Sequence, residues 1–168
     1  MSTAQRNLSS LEGSAVPDAA SYNFGIVYSE WNLDVTSALL EGARSTLKEF
    51  GAAENKIQIK SVPGSFELCL GAQYMAEFTE VDAIICLGCV IQGETRHFDF
   101  ICQAVANGIT ELNLKYNLPV IFGVLTPDTL DQALDRAGGK HGNKGREAAV
   151  TAIKMLGLRD GFNGPNQP

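Results

Sequence analysis

The chain is short of positive charge, of histidine and of any apolar run long enough to cross a bilayer, and each shortage removes a class of function. Lys and Arg number 13 against 19 Asp and Glu, for a net charge of -6. DNA, RNA and anionic lipid call for clustered positive charge, so none of them is an expected partner. With 2 histidines and 4 cysteines in 168 residues, no clustered His/Cys ligand set for a metal can be read from the spacing. The cysteines Cys69, Cys86, Cys89 and Cys102 all lie in apolar stretches, and a chain of this length does not need disulfide staples. Reduced cytosolic thiols are therefore expected. The first twenty residues lack the basic start and apolar stretch of a secretory leader, and a soluble, cytoplasmic protein is expected.

What is present is enough apolar residue for one core. Hydrophobic residues make up 45% of the chain and charged residues 19%, which at this length points to a single domain. We expect a Ser/Ala/Gly-rich flexible arm over 1–20, the domain over 21–158 and a flexible tail over 159–168. Within the domain, short apolar runs alternate with amphipathic ones. Strands are predicted over Tyr22–Tyr28, Lys56–Val62, Asp82–Leu87 and Pro119–Leu125. Helices are predicted from Asn32, read as an N-cap, to Phe50 with Gly51 at C′, then over Phe66–Phe78, His97–Tyr116, Asp128–Ala137 and Asn143–Leu156. Such alternation implies a parallel sheet covered by helices on both faces, a three-layer α/β/α sandwich. Ligands of such sheets bind beyond the carboxyl ends of the strands, which directs attention to the loops at 29–33, 62–67, 88–97 and 122–146.

Those loops hold the unusual residues. RAGGKHGNKGR (136–146) carries Arg136, Lys140, Lys144 and Arg146 without an acid, and its glycines permit close backbone approach, so it reads as an anion site or as a solvated basic loop. It is not a Walker A loop, because no Gly-Lys-Ser/Thr stands at the required spacing. Gly93-Glu94-Thr95-Arg96-His97 precedes the longest predicted helix, whose unpaired N–H groups favour a phosphate. Thr95 fits either a phosphate contact or a helix cap. His97 fits either proton transfer near neutral pH or simple packing. Ser65-Phe66-Glu67 joins an aromatic to a carboxylate, with Trp31 and Phe122 at two other strand ends. These rings could stack on a flat heterocycle or fill the core, and Glu67 could receive sugar hydroxyls or pair with a lysine. Cys86-Leu-Gly-Cys89 has redox spacing but lies at a strand end rather than a helix start, which disfavours redox chemistry.

Four ordered segments, VPGSFE (62–67), LGCVIQGETRHFDF (87–100), PVIFGVLT (119–126) and DRAGGKHGNKG (135–145), resemble the lumazine synthase family, and the likeness runs from about Phe24 to Leu158. The resemblance implies a four-stranded parallel sandwich with flavodoxin-like winding, and pentamers with active sites between neighbouring subunits. In many members it implies a hollow icosahedral shell, and it makes riboflavin synthase a candidate partner. It further implies condensation of 5-amino-6-(D-ribitylamino)uracil with 3,4-dihydroxy-2-butanone 4-phosphate to 6,7-dimethyl-8-ribityllumazine in riboflavin biosynthesis, with no cofactor. Carried onto this chain, it puts Trp31 against the pyrimidine, with Phe122 reaching in from the adjacent subunit. Ser65, Phe66 and Glu67 take the ribityl chain, and Val90 and Ile91 contact the ring. Gly93, Glu94, Thr95 and Arg136 hold the phosphate, His97 transfers a proton, and Lys144 lies near the ligand; Lys140 occupies a family-like position.

The chain departs from the family pattern at Gln92, where many members have Arg, and at Trp31, where Phe is usual. The stretch 137–144 shows no insertion relative to shell-forming members. Two rivals remain at this stage: a flavin- or lumazine-binding module without catalysis, against which the SEWN loop lacks a Ser/Thr-rich phosphate turn, and a purely structural shell protein.

Overall fold

In a computed structural model, which describes residues 16–162, four parallel strands form one sheet in the order β2-β1-β3-β4. The elements are β1 (Phe24–Ser29), α1 (Leu33–Glu49), β2 (Ile57–Val62), α2 (Leu68–Phe78), β3 (Ala83–Cys89), α3 (His97–Tyr116), β4 (Val120–Leu125), α4 (Leu130–Leu134), β5 (Ala137–Gly139), β6 (Gly142–Asn143) and α5 (Lys144–Phe162). The expected sandwich and the winding of its strands are both borne out.

Period-two alternation decides which helices cover which face. From the central strand β3, Ala83, Ile85, Leu87 and Cys89 point into the layer beneath α1 and α5, where they join Leu39, Leu47, Ile153 and Leu156. Ile84 and Cys86 point the other way, towards Leu68, Met75, Val105 and Ile109 of α2 and α3. All seven residues of β3 are buried, as its unbroken apolar run requires. Each fully buried Ile or Leu contributes ~1.5–3 kcal/mol, so the two layers make the sheet a rigid base for the loops at its edge.

Cys86 and Cys89, three residues apart on a strand, therefore face opposite layers. Burial pushes the Cys89 thiol up to about 11 and holds Cys86 higher still, with Cys69 adding to the effect. A Cys-x-x-Cys pair on a helix can close on itself; this pair cannot, and neither thiol ionises near neutrality.

Two asparagines stand ahead of helices, and only one caps with its side chain. Asn32 precedes α1 but adopts a left-handed conformation (φ 58°) and makes no side-chain cap. Asn143 is the capping residue: its Oδ1 accepts from the N–H groups of Gly145 (2.8 Å) and Arg146 (3.2 Å) at the start of α5. Its Nδ2 donates to the Ala38 carbonyl at 2.9 Å, tying α5 to α1. Helix α1 closes as expected, with Gly51 at φ 102° and the Ala52 and Gly51 N–H groups returning to Leu47 and Lys48.

Three stretches differ from the sequence reading by more than two residues. The helix expected over 128–137 shrinks to Leu130–Leu134, because the chain turns into the β5–β6 hairpin, where Gly138 and Gly142 take positive φ. Helix α5 continues to Phe162, so residues 159–162 are helical rather than part of a tail. At the other end, Ala19 is fully buried and its N–H donates to the Phe50 carbonyl at 2.7 Å, so residues 16–20 pack on the domain. The rest of the expected arm, 1–15, and of the tail, 163–168, lies outside the described residues.

Candidate active site

At the carboxyl ends of β1, β2 and β3 the loops leave a cleft of about 820 Å³ lined by Trp31, Asn32, Gly64, Ser65, Phe66, Glu67, Cys89, Val90, Ile91, His97 and Ile101. It lies where an open parallel sheet places its ligands. Three segments distant in sequence supply its walls: the β1–α1 loop, the turn between β2 and α2, and the stretch from the end of β3 to the start of α3.

Each wall has a local cause. Beyond the last β1–β2 pair, Ser29 and Val62, the N–H groups of Glu30 and Trp31 donate to the carbonyls of Val62 (2.9 Å) and Pro63 (3.3 Å), so the ladder continues into the loop. Trp31 is left 72% exposed at the cleft, and Phe66 55%. A core-filling role is thereby removed for both, and likewise for Phe122, 39% exposed on the outer strand β4. Ser65 opens a short 3-10 turn, Ser65–Glu67, directly against β3: a Cβ added to Gly88 would stand 2.7 Å from its Oγ. That Oγ is buried and has no hydrogen-bond partner among the described residues. Buried hydroxyls are rarely left so, and Ser65 is one of the residues that line the cleft. Glu67 is exposed and forms no ion pair among the described residues.

His97 is the first residue of α3 and lines the cleft. Thr95 accepts its backbone N–H only at 3.4 Å, a long contact for a cap, and the helix has no side-chain cap at Arg96. Within the first turn of α3 the Asp99 N–H donates to the Arg96 carbonyl (3.1 Å) and the His97 N–H makes only that long contact, so the positive end of the helix is loosely capped and favours an anion. Gly93, Glu94 and Thr95 are exposed beside it but do not line the cleft of the single chain. A Cβ at Gly93 would meet nothing within 4 Å, so neither packing nor backbone conformation within this chain requires glycine there.

The basic segment 136–146 is less positive than its sequence suggests. Lys140 pairs with Asp135 (2.8 Å), Lys144 with Glu147 (2.9 Å) and Arg146 with Glu49 (2.7 Å). These acids flank the segment or come from α1, so the segment read alone could not show them. Arg136 differs: its Nη1 donates to the Gln132 carbonyl at 3.1 Å, and it forms no ion pair among the described residues. The backbone bond from Lys144 to the Arg136 carbonyl, 2.8 Å, fixes the base of the hairpin that carries it. Phe122, Arg136 and Lys144 do not line the cleft of the single chain.

Of the residues expected at the site, the fold thus gathers Trp31, Ser65, Phe66, Glu67, Val90, Ile91 and His97. Sequence reading missed Asn32, Gly64, Cys89 and Ile101 as lining residues; the helical spacing of Ile101 from His97 could have found the last. Among the described residues no group of three or more His, Cys, Asp or Glu could hold a metal, and no helix is long and apolar enough to cross a membrane.

Comparison with known proteins agrees with the order of motifs. The chain is 62% identical over 156 residues to the 6,7-dimethyl-8-ribityllumazine synthase of Cytophaga hutchinsonii, covering 93% of this chain and 98% of that one. It is 57% identical over 156 residues, with the same coverage, to the protein of the same name from Parabacteroides distasonis. A de novo designed Rossmann fold protein superposes with a TM-score of 0.39 at 14% identity, covering 66% of this chain and 90% of that one, a likeness too weak to bear on function. A family model described as 6,7-dimethyl-8-ribityllumazine synthase matches residues 21–160, and the chain belongs to that family.

Proposed function

We propose that this cleft binds 5-amino-6-(D-ribitylamino)uracil and that the protein is a transferase condensing it with 3,4-dihydroxy-2-butanone 4-phosphate. The product is 6,7-dimethyl-8-ribityllumazine, formed with loss of phosphate and water. The observation that carries the reading is the meeting, in one cleft, of an exposed indole, an exposed phenyl ring, a buried hydroxyl without a partner, a carboxylate and a histidine. A flat pyrimidine fits between Trp31 and the Val90–Ile91 backbone, while its polyhydroxyl arm reaches Ser65, whose hydroxyl accepts or donates, and Glu67, whose carboxylate accepts from sugar hydroxyls.

The second substrate brings a phosphate. In this reading it lies against the first turn of α3, at Gly93, Glu94 and Thr95, and is met by Arg136 of an adjacent copy, whose Phe122 closes the aromatic wall. Three features support completion by a neighbour: Phe122 is exposed on an edge strand, Arg136 forms no ion pair among the described residues, and Gly93 faces open space. Family membership supports oligomeric assembly, and we assign a pentamer, with a shell of pentamers as the larger form. Lys144, paired with Glu147, then buttresses the same edge rather than acting as a second anion ligand. The reaction is placed in the cytoplasm.

Chemistry asks little of the protein beyond arrangement. Fixing amine and ketone face to face lowers the barrier by about 7 kcal/mol or more in well-oriented cases. His97 moves a proton, a contribution of ~10²–10⁴-fold. The test is to mix purified protein with the two substrates and follow lumazine absorbance and fluorescence. Product formation no faster than in buffer alone overturns the assignment.

A further inference from the structure

Asparagine at a helix start ordinarily accepts a first-turn N–H with its side chain, an arrangement that stabilises the helix. Asn32 gives this up. Its carbonyl begins α1, accepting from Val35 (2.9 Å) and Thr36 (3.0 Å), but its side chain turns away and donates from Nδ2 to the Cys89 carbonyl, 2.9 Å off, at the end of β3. A carbonyl only accepts, so the amide nitrogen must face it. The residue also holds a left-handed conformation (φ 58°) that few side chains tolerate, asparagine being one of them. Both requirements coincide at the residue next to Trp31.

We infer that Asn32 is a positioning residue that sets the Trp31 indole as a fixed wall of the cleft. On the β2 side the loop is held by the Glu30 and Trp31 N–H groups on Val62 and Pro63, and by Ser61 Oγ donating to Glu30 Oε1 at 2.8 Å. On the β3 side the Asn32 bridge holds it. Between these anchors the left-handed turn directs residue 31 over the cleft, where its Cδ1 lies 3.6 Å from the position of a Cβ built on Gly64. Because the indole is 72% exposed, burial does not restrain it, and restraint must come from the backbone on either side. The role rests on the proposed function for its purpose, but not for its physical test.

Trp31 is the single tryptophan of the chain, so its fluorescence reports on the wall alone. Two variants keep the left-handed turn while removing the bridge. Asn32→Gly has no side chain, and Asn32→Asp keeps the shape but turns an oxygen without a donor towards the Cys89 carbonyl. Time-resolved anisotropy of the full chain is measured in the wild type and both variants, with far-UV circular dichroism and thermal melts to establish that each is folded. In both variants the amplitude of nanosecond depolarisation rises at least roughly twofold, reflecting release of a local segment. KM for the ribitylaminouracil rises roughly three- to tenfold, the fold-change equivalent of one net hydrogen bond, with kcat changed less. Anisotropy unchanged in either folded variant overturns the inference. An inactive wild type whose Trp31 still loosens in both variants overturns the proposed function and supports the role of Asn32.

Discussion

Replacing Ser65 by alanine sets folding and binding against each other. The Ser65 hydroxyl is buried without a partner, its residue 6% exposed, held against β3 where the missing Cβ of Gly88 makes room. An unsatisfied buried hydroxyl costs about 1–3 kcal/mol, whereas removing a single oxygen leaves too small a void to cost as much. Ser65→Ala is therefore expected to raise the stability of the ligand-free protein by about 1 kcal/mol. For a chain of this size that corresponds to a rise in Tm of roughly 2–4 °C. The same change removes one hydrogen bond to the ribityl arm, a net loss of roughly 0.5–1.5 kcal/mol, so KM for the pyrimidine rises about three- to tenfold. Calorimetric melts without ligand and steady-state kinetics on the same preparations read both halves. A variant melting several degrees lower with an unchanged KM would show that the hydroxyl serves the fold and would refute the reasoning.

Other perturbations test other links. His97→Ala is expected to lower kcat by ~10²-fold or more without abolishing turnover, since positioning survives; unchanged kcat removes His97 from proton transfer. Arg136→Ala is expected to raise KM for the sugar phosphate about tenfold or more, and an unaltered value counts against the charge-assisted contact. Gly145→Ala places a Cβ 1.9 Å from the Leu39 carbonyl oxygen, where α5 crosses α1, and since backbone cannot step aside the loss is expected to exceed about 2 kcal/mol, read by urea unfolding. Arg146 holds the Glu49 carboxyl below its ordinary range, so the pair stabilises above the unfolded-state carboxylate value and the gain is lost as pH falls through the lower folded one. Arg146→Met should then cost about 0.5–1 kcal/mol at pH 7, the half-exposed carboxylate being screened by solvent, and should match wild type once the pH has fallen through the lowered folded-state value of Glu49; a gap that persists there contradicts it.

Legibility followed periodicity. The helix expected over His97–Tyr116 and the alternation in KIQIKSV are local patterns that packing merely confirms, so α3 matches to the residue and β2 begins one residue later than read. Where a segment's conformation depends on contacts from elsewhere, reading failed. The expected helix at 128–137 was cut short by a hairpin whose positive-φ glycines do not themselves specify a strand. Asn32 and Asn143 offer the same residue type just ahead of a helix; which one caps depends on whether a carbonyl of another element, Cys89 or Ala38, lies within reach, and on where the Oδ1 then points.

The basic segment shows the same dependence in electrostatic form. Four cations in eleven residues read as one anion site, yet charge is a property of neighbourhood: Asp135, Glu147 and Glu49 each take one, two of them just beyond the ends of the segment and one from α1. Among the described residues, pairing leaves one cation of this segment without an ion pair, Arg136, at the base of a hairpin stiffened by its own backbone bridge. That selection makes the anion site sharper, since one fixed fork discriminates phosphate geometry better than a diffuse cluster of lysines. It also fits the proposal that a neighbouring copy completes the cleft. Trp31, Ser65, Phe66, Glu67 and His97 ride on loops and a helix start around the central strands and line the cleft, whereas Phe122 and Arg136 ride on the outer strand β4 and next to the hairpin beyond it, outside the cleft of the single chain.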